Sequence, residues 1–342
     1  MVLADEPREA LPSMRGYFIV GGAGFIGSHL VDRLMADAST AALTVYDNFS
    51  TGRDWHVAGH RDDRRFTIVR ADVQELPRLA TAMAGHDTVI HLAAAPESAL
   101  PPDDAAAAFV DCTTLTRNVL KAMQATGATV LLYASSAAVY GDLGMREAHE
   151  DDSPTIPQSV AAAGRLASEA LISAYAHAGG IMGRSFRMTE VVGSRQTSGV
   201  AYHLVRRVLA EPEQVSVSGD GSQAESFVHI DDVVDAILRV ANHIWQGSDA
   251  AAYRAYNIAA SGRVALREVA EIAAELCGLR PATTRFAYGL DPDRQARPTA
   301  ELSTRRLASI GWECKRSARA AVHAAVLGLI DDARAGRLEP VR

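Results

Sequence analysis

The run GYFIVGGAGFIGSHLVDRLMA, residues 16–36, constrains this chain more than any other stretch. A short apolar segment passes through spaced glycines straight into residues whose apolar positions recur at helical spacing. A turn that tight needs glycine where backbone meets backbone, and the helix it opens presents unpaired N–H groups. Gly21, Gly24 and Gly27, with Phe25 and Ile26 between them, therefore read as a cradle for a pyrophosphate at a helix N-terminus. Asp47 ends the next strand, twenty residues beyond Gly27. A carboxylate there accepts from a ribose 2′-hydroxyl and repels a 2′-phosphate, which predicts NAD in preference to NADP. The polar NFSTG loop that follows, with Asn48, Ser50, Thr51 and Gly52, is placed to hold the adenosine end.

Strand-like runs continue at 42–47, 66–73, 87–94, 129–136 and 181–188, with helical stretches between most of them. Alternation of this kind predicts an α/β fold, a Rossmann-type doubly wound parallel sheet covered on both faces. After residue 185 the rhythm loosens, and GVAYHLVRRVLA and LREVAEIAAELCG read as helices of a smaller C-terminal α/β substrate lobe. The expected organisation is an N-terminal extension at 1–14, an NAD-binding domain at 15–185 and a substrate-binding lobe at 186–342. Segments around 222–262 return to the first domain. With 342 residues the chain is long enough for two cores. A net charge of −7 with no basic stripe argues against nucleic acid. No apolar run is long enough for a membrane span, the acidic start is no signal peptide, and three scattered cysteines fit a reduced cytoplasmic protein.

The motifs GGAGFIGSHL, VYDNFSTG, ADV, HLAA, ASSAAVYG, FVHIDD and a late GW occur in that order. Together, over about residues 15–315, they resemble the extended short-chain dehydrogenase/reductases, and within them the nucleotide-sugar epimerases and dehydratases. The resemblance implies tightly held NAD, a nucleoside diphosphate sugar as substrate, and a homodimer packed through helices around 104–125 and 160–178. It places Asp72 and Val73 at the adenine and Leu92, Ala93, Ala94 and Ala95 along the cofactor's other flank. It makes Ser136 the hydroxyl that polarises the sugar.

The catalytic pair of that family is missing. Its tyrosine, the general base, falls on Ala161, and its lysine falls on Arg165. Arg165 keeps a positive charge and donors for the nicotinamide ribose, but a guanidinium is a poor proton carrier. Losing a positioned base costs roughly 10²–10⁴-fold in rate. The chain has only two lysines, Lys121 and Lys315, so arginine in a lysine slot also fits its composition. Ala137 and Ala138 replace the acid pair of the dehydratases, which disfavours that reaction. Glu190 stands where an asparagine is usual near the diphosphate, and Glu225 where an arginine is usual. Glu97 sits in the loop over the cleft. Arg195, Arg206 and Arg297 are the expected bases on the substrate side, and Arg195 or Arg206 is placed to neutralise these acids. Tyr133, Tyr140 and His91 read as packed side chains, and the IDD at 230–232 as a helix cap with first-turn carboxylates.

Two functions fit. The preferred one is an NAD-dependent nucleotide-sugar epimerase or related oxidoreductase whose base is relocated to Glu97, Glu190 or a water relayed through Ser136. The other is a catalytically silent homologue that binds NAD and a sugar nucleotide and serves a partner enzyme.

Overall fold

A computed structural model describes residues 15–94, 105–144, 146–211, 214–218, 221–279, 285–289 and 301–338. The extension at 1–14, Ala95, Glu97 and Arg297 lie outside the described residues.

The first half alternates strand and helix: β1 (Arg15–Val20), α1 (Phe25–Met35), β2 (Thr40–Asp47), a short α2 (Asp54–Val57), β3 (Phe66–Arg70), α3 (Leu76–Met83), β4 (Thr88–His91), α4 (Ala105–Thr126), β5 (Val130–Ser136), α5 (Val160–Ala178) and β6 (Met182–Met188). The second half runs β7 (Glu190–Val192), α6 (Val200–Ala210), β8 (Gln214–Ser218), β9 (Ala224–Glu225), β10 (Phe227–His229), α7 (Ile230–Trp245), β11 (Tyr253–Ile258), β12 (Val264–Ala265), α8 (Leu266–Leu276), β13 (Arg285–Gly289), α9 (Arg305–Ala308) and α10 (Ala318–Arg334). Seven strands form one parallel sheet in the order β11-β6-β5-β4-β1-β2-β3. The order reverses between β1 and β4, which opens a crevice at the carboxyl edge of the sheet. The Rossmann-type parallel sheet expected from the sequence is therefore the observed one.

The sheet is buried on both sides because its strands are apolar on both faces. Tyr17 and Ile19 join the core beneath α1 and α7, with Leu30, Val31, Val233 and Ile237. Phe18 and Val20, pointing the other way, join the core beneath α3, α4 and α5, with Leu79, Val119, Met123 and Ile172. A third core gathers α6, α8 and α10 around Tyr202, Val205, Val269, Val322 and Val326. The late GW is an anchor: buried Trp312 donates from Nε1 to the Asp232 carbonyl at 3.2 Å.

Two strands are shorter than their sequence pattern. β3 stops at Arg70 and β4 at His91, so Ala71–Val73 and Leu92–Ala94 are loop rather than strand. Both therefore lie past the strand ends, at the carboxyl edge of the sheet. The cap of α7 falls one residue ahead of IDD. His229 Nδ1 accepts from the Asp231 N–H at 3.3 Å, and Asp231 and Asp232 occupy the first turn.

Candidate active site

The glycine turn is built by close approach. Gly21 has φ +80°, and a Cβ there would sit 2.9 Å from the Ala93 nitrogen. A Cβ on Gly27 would lie 2.6 Å from the Gly21 carbonyl oxygen, so α1 is pressed against the turn that precedes it. Gly24 opens α1 without a side-chain cap, and no acid occupies the first turn. The N–H groups at that end are thus left for an anion, and the helix dipole favours one. This cradle, which any Cβ would fill, fits a dinucleotide pyrophosphate.

Asp47 is 8% exposed and accepts twice from backbone: Oδ2 from Ala23 N–H at 2.9 Å and Oδ1 from Phe49 N–H at 2.7 Å. Burial pushes its carboxyl upward from the usual carboxylate range. Each oxygen retains capacity to accept, which a ribose hydroxyl would use. Phe49 reaches this geometry with φ 60°, unusual for a residue with a side chain, and its ring lies 4.0 Å beneath the Arg70 guanidinium. His56, which the sequence did not single out, donates from Nδ1 to the Ala23 carbonyl at 2.7 Å. Asn48 donates to the Asp72 carboxylate at 2.9 Å, Ser50 N–H to Asn48 at 3.0 Å, and Asn118 to the Val73 carbonyl at 3.1 Å. Arg53 donates to the carbonyls of Thr51 and Gly52, and Leu92 N–H to Val20 at 2.9 Å. The loops after β2 and β3 are thereby tied to one another.

The catalytic half follows from β5 and α5. Ser136 ends β5 half-buried, and its Oγ accepts from the Ala138 N–H at 3.2 Å as the cap of a 3₁₀ turn over Ala137–Tyr140. That bond uses a lone pair and leaves the hydroxyl proton to donate. Its neighbour Ser135 is buried and donates to Glu169. Helix α5 begins after Ser159, whose Oγ accepts from the Ala162 N–H at 3.2 Å. Ala161 lies in its first turn, half-buried. Arg165, one turn on, donates from Nη1 to the Ala134 carbonyl at 3.0 Å, two residues before Ser136.

Neither Tyr140 nor Tyr133 replaces the missing tyrosine. Tyr140 is buried and donates to Asn257 at 2.7 Å. Tyr133 lies within β5 against the His91 ring, and burial raises its hydroxyl far above the usual range. His91 was expected to be a satisfied core histidine and is so on one side alone. Nε2 meets Thr116 Oγ1 at 3.2 Å, while Nδ1 is buried without a partner. Burial, and then the Arg165 charge, bring its pKa down to about 3, so the ring is neutral.

On the substrate side, Glu190 follows the end of β6, two residues past Met188, which is the strand partner of Ser136. Its backbone N–H donates to Ser226 at 3.2 Å, which puts it beside Glu225, the next residue back along the chain. One carboxylate oxygen of Glu190 lies 2.7 Å from where a Gly199 Cβ would be, at the opening of α6. Arg206 lies over the Tyr202 ring at 5.1 Å, on the same helix. Arg195 departs from expectation. Its guanidinium pairs with Asp32 of α1 at 2.7 Å and donates to the Ser28 carbonyl, and its N–H donates to Asp332 of α10 at 2.7 Å. Instead of neutralising Glu190 or Glu225, it ties α1 to the C-terminal helix, from a left-handed backbone (φ 63°).

A glycine cradle at a switch point and a polar strand-end hydroxyl define a dinucleotide-dependent enzyme scaffold. The family model for the NAD dependent epimerase/dehydratase family matches residues 17–259, and the chain belongs to that family. NAD is accordingly its cofactor. A UDP-glucuronic acid decarboxylase 1 from Danio rerio is 32% identical over 66% of this chain; the chain spans 53% of that relative's length. A UDP-galactose 4-epimerase structure superposes with TM-score 0.78 at 28% identity, covering 93% of this chain and 99% of the other. MoeE5, solved with UDP-glucuronic acid and NAD, gives 0.77 at 27% identity, with the same coverage of each chain. Among the described residues, no helix is long and apolar enough to cross a membrane.

Proposed function

We propose that this protein is an NAD-dependent enzyme acting on a nucleoside diphosphate sugar, an epimerase or related oxidoreductase in which no side chain at position 161 takes the proton. The observation that carries this reading is Ser136, half-exposed at the end of β5 with its proton available, on the same sheet edge as an intact dinucleotide cradle. When bound, NAD supplies a reversible hydride acceptor. Ser136 orients the sugar carbinol by donating to its oxygen, and Arg165 holds the ribose side and keeps the local field positive. The carbinol proton goes to Glu190, to Glu97, or to a water held by Ser136. Relatives named for UDP-galactose and UDP-glucuronic acid support the substrate class. The alternative, a silent NAD- and sugar-nucleotide-binding subunit, draws its support from Ala161, which can accept no proton. The reading includes a cytoplasmic homodimer.

Turnover of a panel of sugar nucleotides, with nicotinamide absorbance followed in parallel, tests this. In Ala161→Tyr with Arg165→Lys, the new phenol fills space that the native substrate uses, so native turnover falls at least about a hundredfold, the low end of the range for a misplaced proton acceptor. Turnover that is absent in the native chain and appears in the double variant establishes the silent reading. Native turnover unchanged by both substitutions places the chemistry away from Ala161 and overturns the proposal.

A further inference from the structure

The segment after β7 is wedged between three helices. A Cβ on Gly193 would collide with the Ile230 side chain at the start of α7 and lie 3.5 Å from the ring of Phe25, the first residue of α1. The Ser194 carbonyl accepts from His29 Nε2 at 3.1 Å, and a Cβ on Gly328 of α10 would lie 2.9 Å from the Ser194 Cβ. Arg195 completes the wedge. Its backbone N–H donates to Asp332 of α10 at 2.7 Å. Its guanidinium pairs with Asp32 at 2.7 Å, donates to the Ser28 carbonyl at 3.3 Å and reaches the His56 carbonyl of α2 at 3.5 Å. His56 in turn donates to the carbonyl of Ala23, inside the glycine turn, and the Arg53 N–H donates to the same oxygen at 3.1 Å. The Ala23 N–H is held by Asp47. The turn is therefore fixed from β2 on one side and, through α2 and the first two turns of α1, by Arg195. An isolated, partly exposed ion pair contributes little. Here one guanidinium spans two elements while a third holds its backbone, and Arg195 stays left-handed at φ 63°. Such a backbone is unfavourable for a residue with a side chain and persists where its surroundings over-determine it.

We propose that Arg195 is a positioning residue for the cofactor: it transmits the docking of α10 to the glycine turn, so that NAD affinity depends on a helix of the C-terminal core. This rests on the α1 turn being the NAD site. Backbone N–H groups hold a pyrophosphate only where the helix start lies within hydrogen-bond distance of its oxygens, so a small shift of α1 weakens every contact at once. Arg195 bonds to α1 and α2 together, and those two elements frame the turn. Without its guanidinium nothing else in this set joins Ser28 to His56, and α1 is free to move against α2. Asp32 also meets His60 Nε2 at 2.6 Å, so its carboxylate keeps a partner when Arg195 is replaced, and the variant is expected to fold.

Calorimetric titration with NAD, at a temperature where circular dichroism shows each protein folded, tests this on the native chain, Arg195→Met, Arg195→Lys, Asp332→Ala and Gly27→Ala. Arg195→Met is expected to bind NAD about tenfold more weakly, within the span of coupling between distinct sites. Arg195→Lys should recover part of the loss, because an ammonium still reaches Asp32 but cannot bridge it to the carbonyls. Asp332→Ala should weaken NAD about fivefold, the lower end of that span, although Asp332 lies on α10 and bonds to Arg195 through the backbone alone. A lowered urea midpoint with native NAD affinity in Arg195→Met makes the residue structural only and overturns the proposal. Native affinity in Asp332→Ala overturns it too, since α10 then passes nothing to the turn. Should Arg195→Met fail to fold, Arg195→Lys and Asp332→Ala carry the test. Native NAD affinity in Gly27→Ala removes the turn as the NAD site, and the proposal falls with it. Loss of NAD in Gly27→Ala beside native affinity in the Arg195 and Asp332 variants overturns the proposal alone.

Discussion

Two buried histidines make a distinct contribution to acid sensitivity at the scale of single residues. His56 and His91 are 3% and 0% exposed, and burial holds them near pKa 4 and 3 against 6.5 for the free side chain. Well above pH 6.5 both are neutral whether the chain is folded or not, and they do not affect its stability. As pH falls from 6.5 toward 4, the unfolded chain takes up protons that the folded one refuses, so stability falls throughout that window. For His56 the loss reaches at most about 3 kcal/mol at the bottom of the window. Urea midpoints measured from pH 7 to 4 should decline accordingly. His56→Asn, which can still donate to Ala23, should flatten part of the decline. Midpoints that do not change with pH would contradict both assignments.

Among the elements, α1 matters most, because its first turn is at once structural and functional. Its contact with the glycine turn leaves no volume for a side chain at Gly27, where a Cβ would meet the Gly21 oxygen and the Gly22 Cα at 2.6 Å and the Gly22 oxygen at 2.7 Å. All three are backbone atoms, so no rotamer change relieves the clash. Gly27→Ala should therefore cost about 1–3 kcal/mol in stability, the range for overpacked sites, and abolish NAD binding by displacing the helix N-terminus. A variant that keeps native NAD affinity would show that the turn does not cradle the cofactor. Helix α5 follows a different logic. Its small residues Ala162, Gly164, Ser168 and Ala176 are buried, which lets it lie close against α4 and β5. The positions that vary the chemistry, Ala161 and Arg165, are half-buried on the same helix.

For the whole molecule, the paired helices α4 and α5 expose Phe109 (38%) and Val110 (55%) on α4 and Val160 (39%) at the start of α5. Large apolar side chains exposed on a pair of long helices support a second copy packing there to complete a four-helix bundle. The expected species is a dimer in sedimentation at micromolar concentration, and Val110→Glu should shift it toward monomer. A native monomer at that concentration rules out the homodimer.

The parallel sheet, the glycine cradle and Asp47 were legible in residue order, because each depends on local pattern: apolar periodicity, backbone space and a carboxylate at a strand end. The gap at Ala161 was equally legible, since flanking residues pin its register on α5. What the order of residues did not determine was partnership across the fold. Nothing adjacent in sequence reveals that Arg195 closes on Asp32 of α1, that His56 supports Ala23, or that Glu169 belongs to Arg187. Those pairings bring together residues from separate elements, so they are set by how the helices dock on the sheet. A charge reads the same in sequence whether or not its partner is near. The packed chain alone decides which acid neutralises which cation.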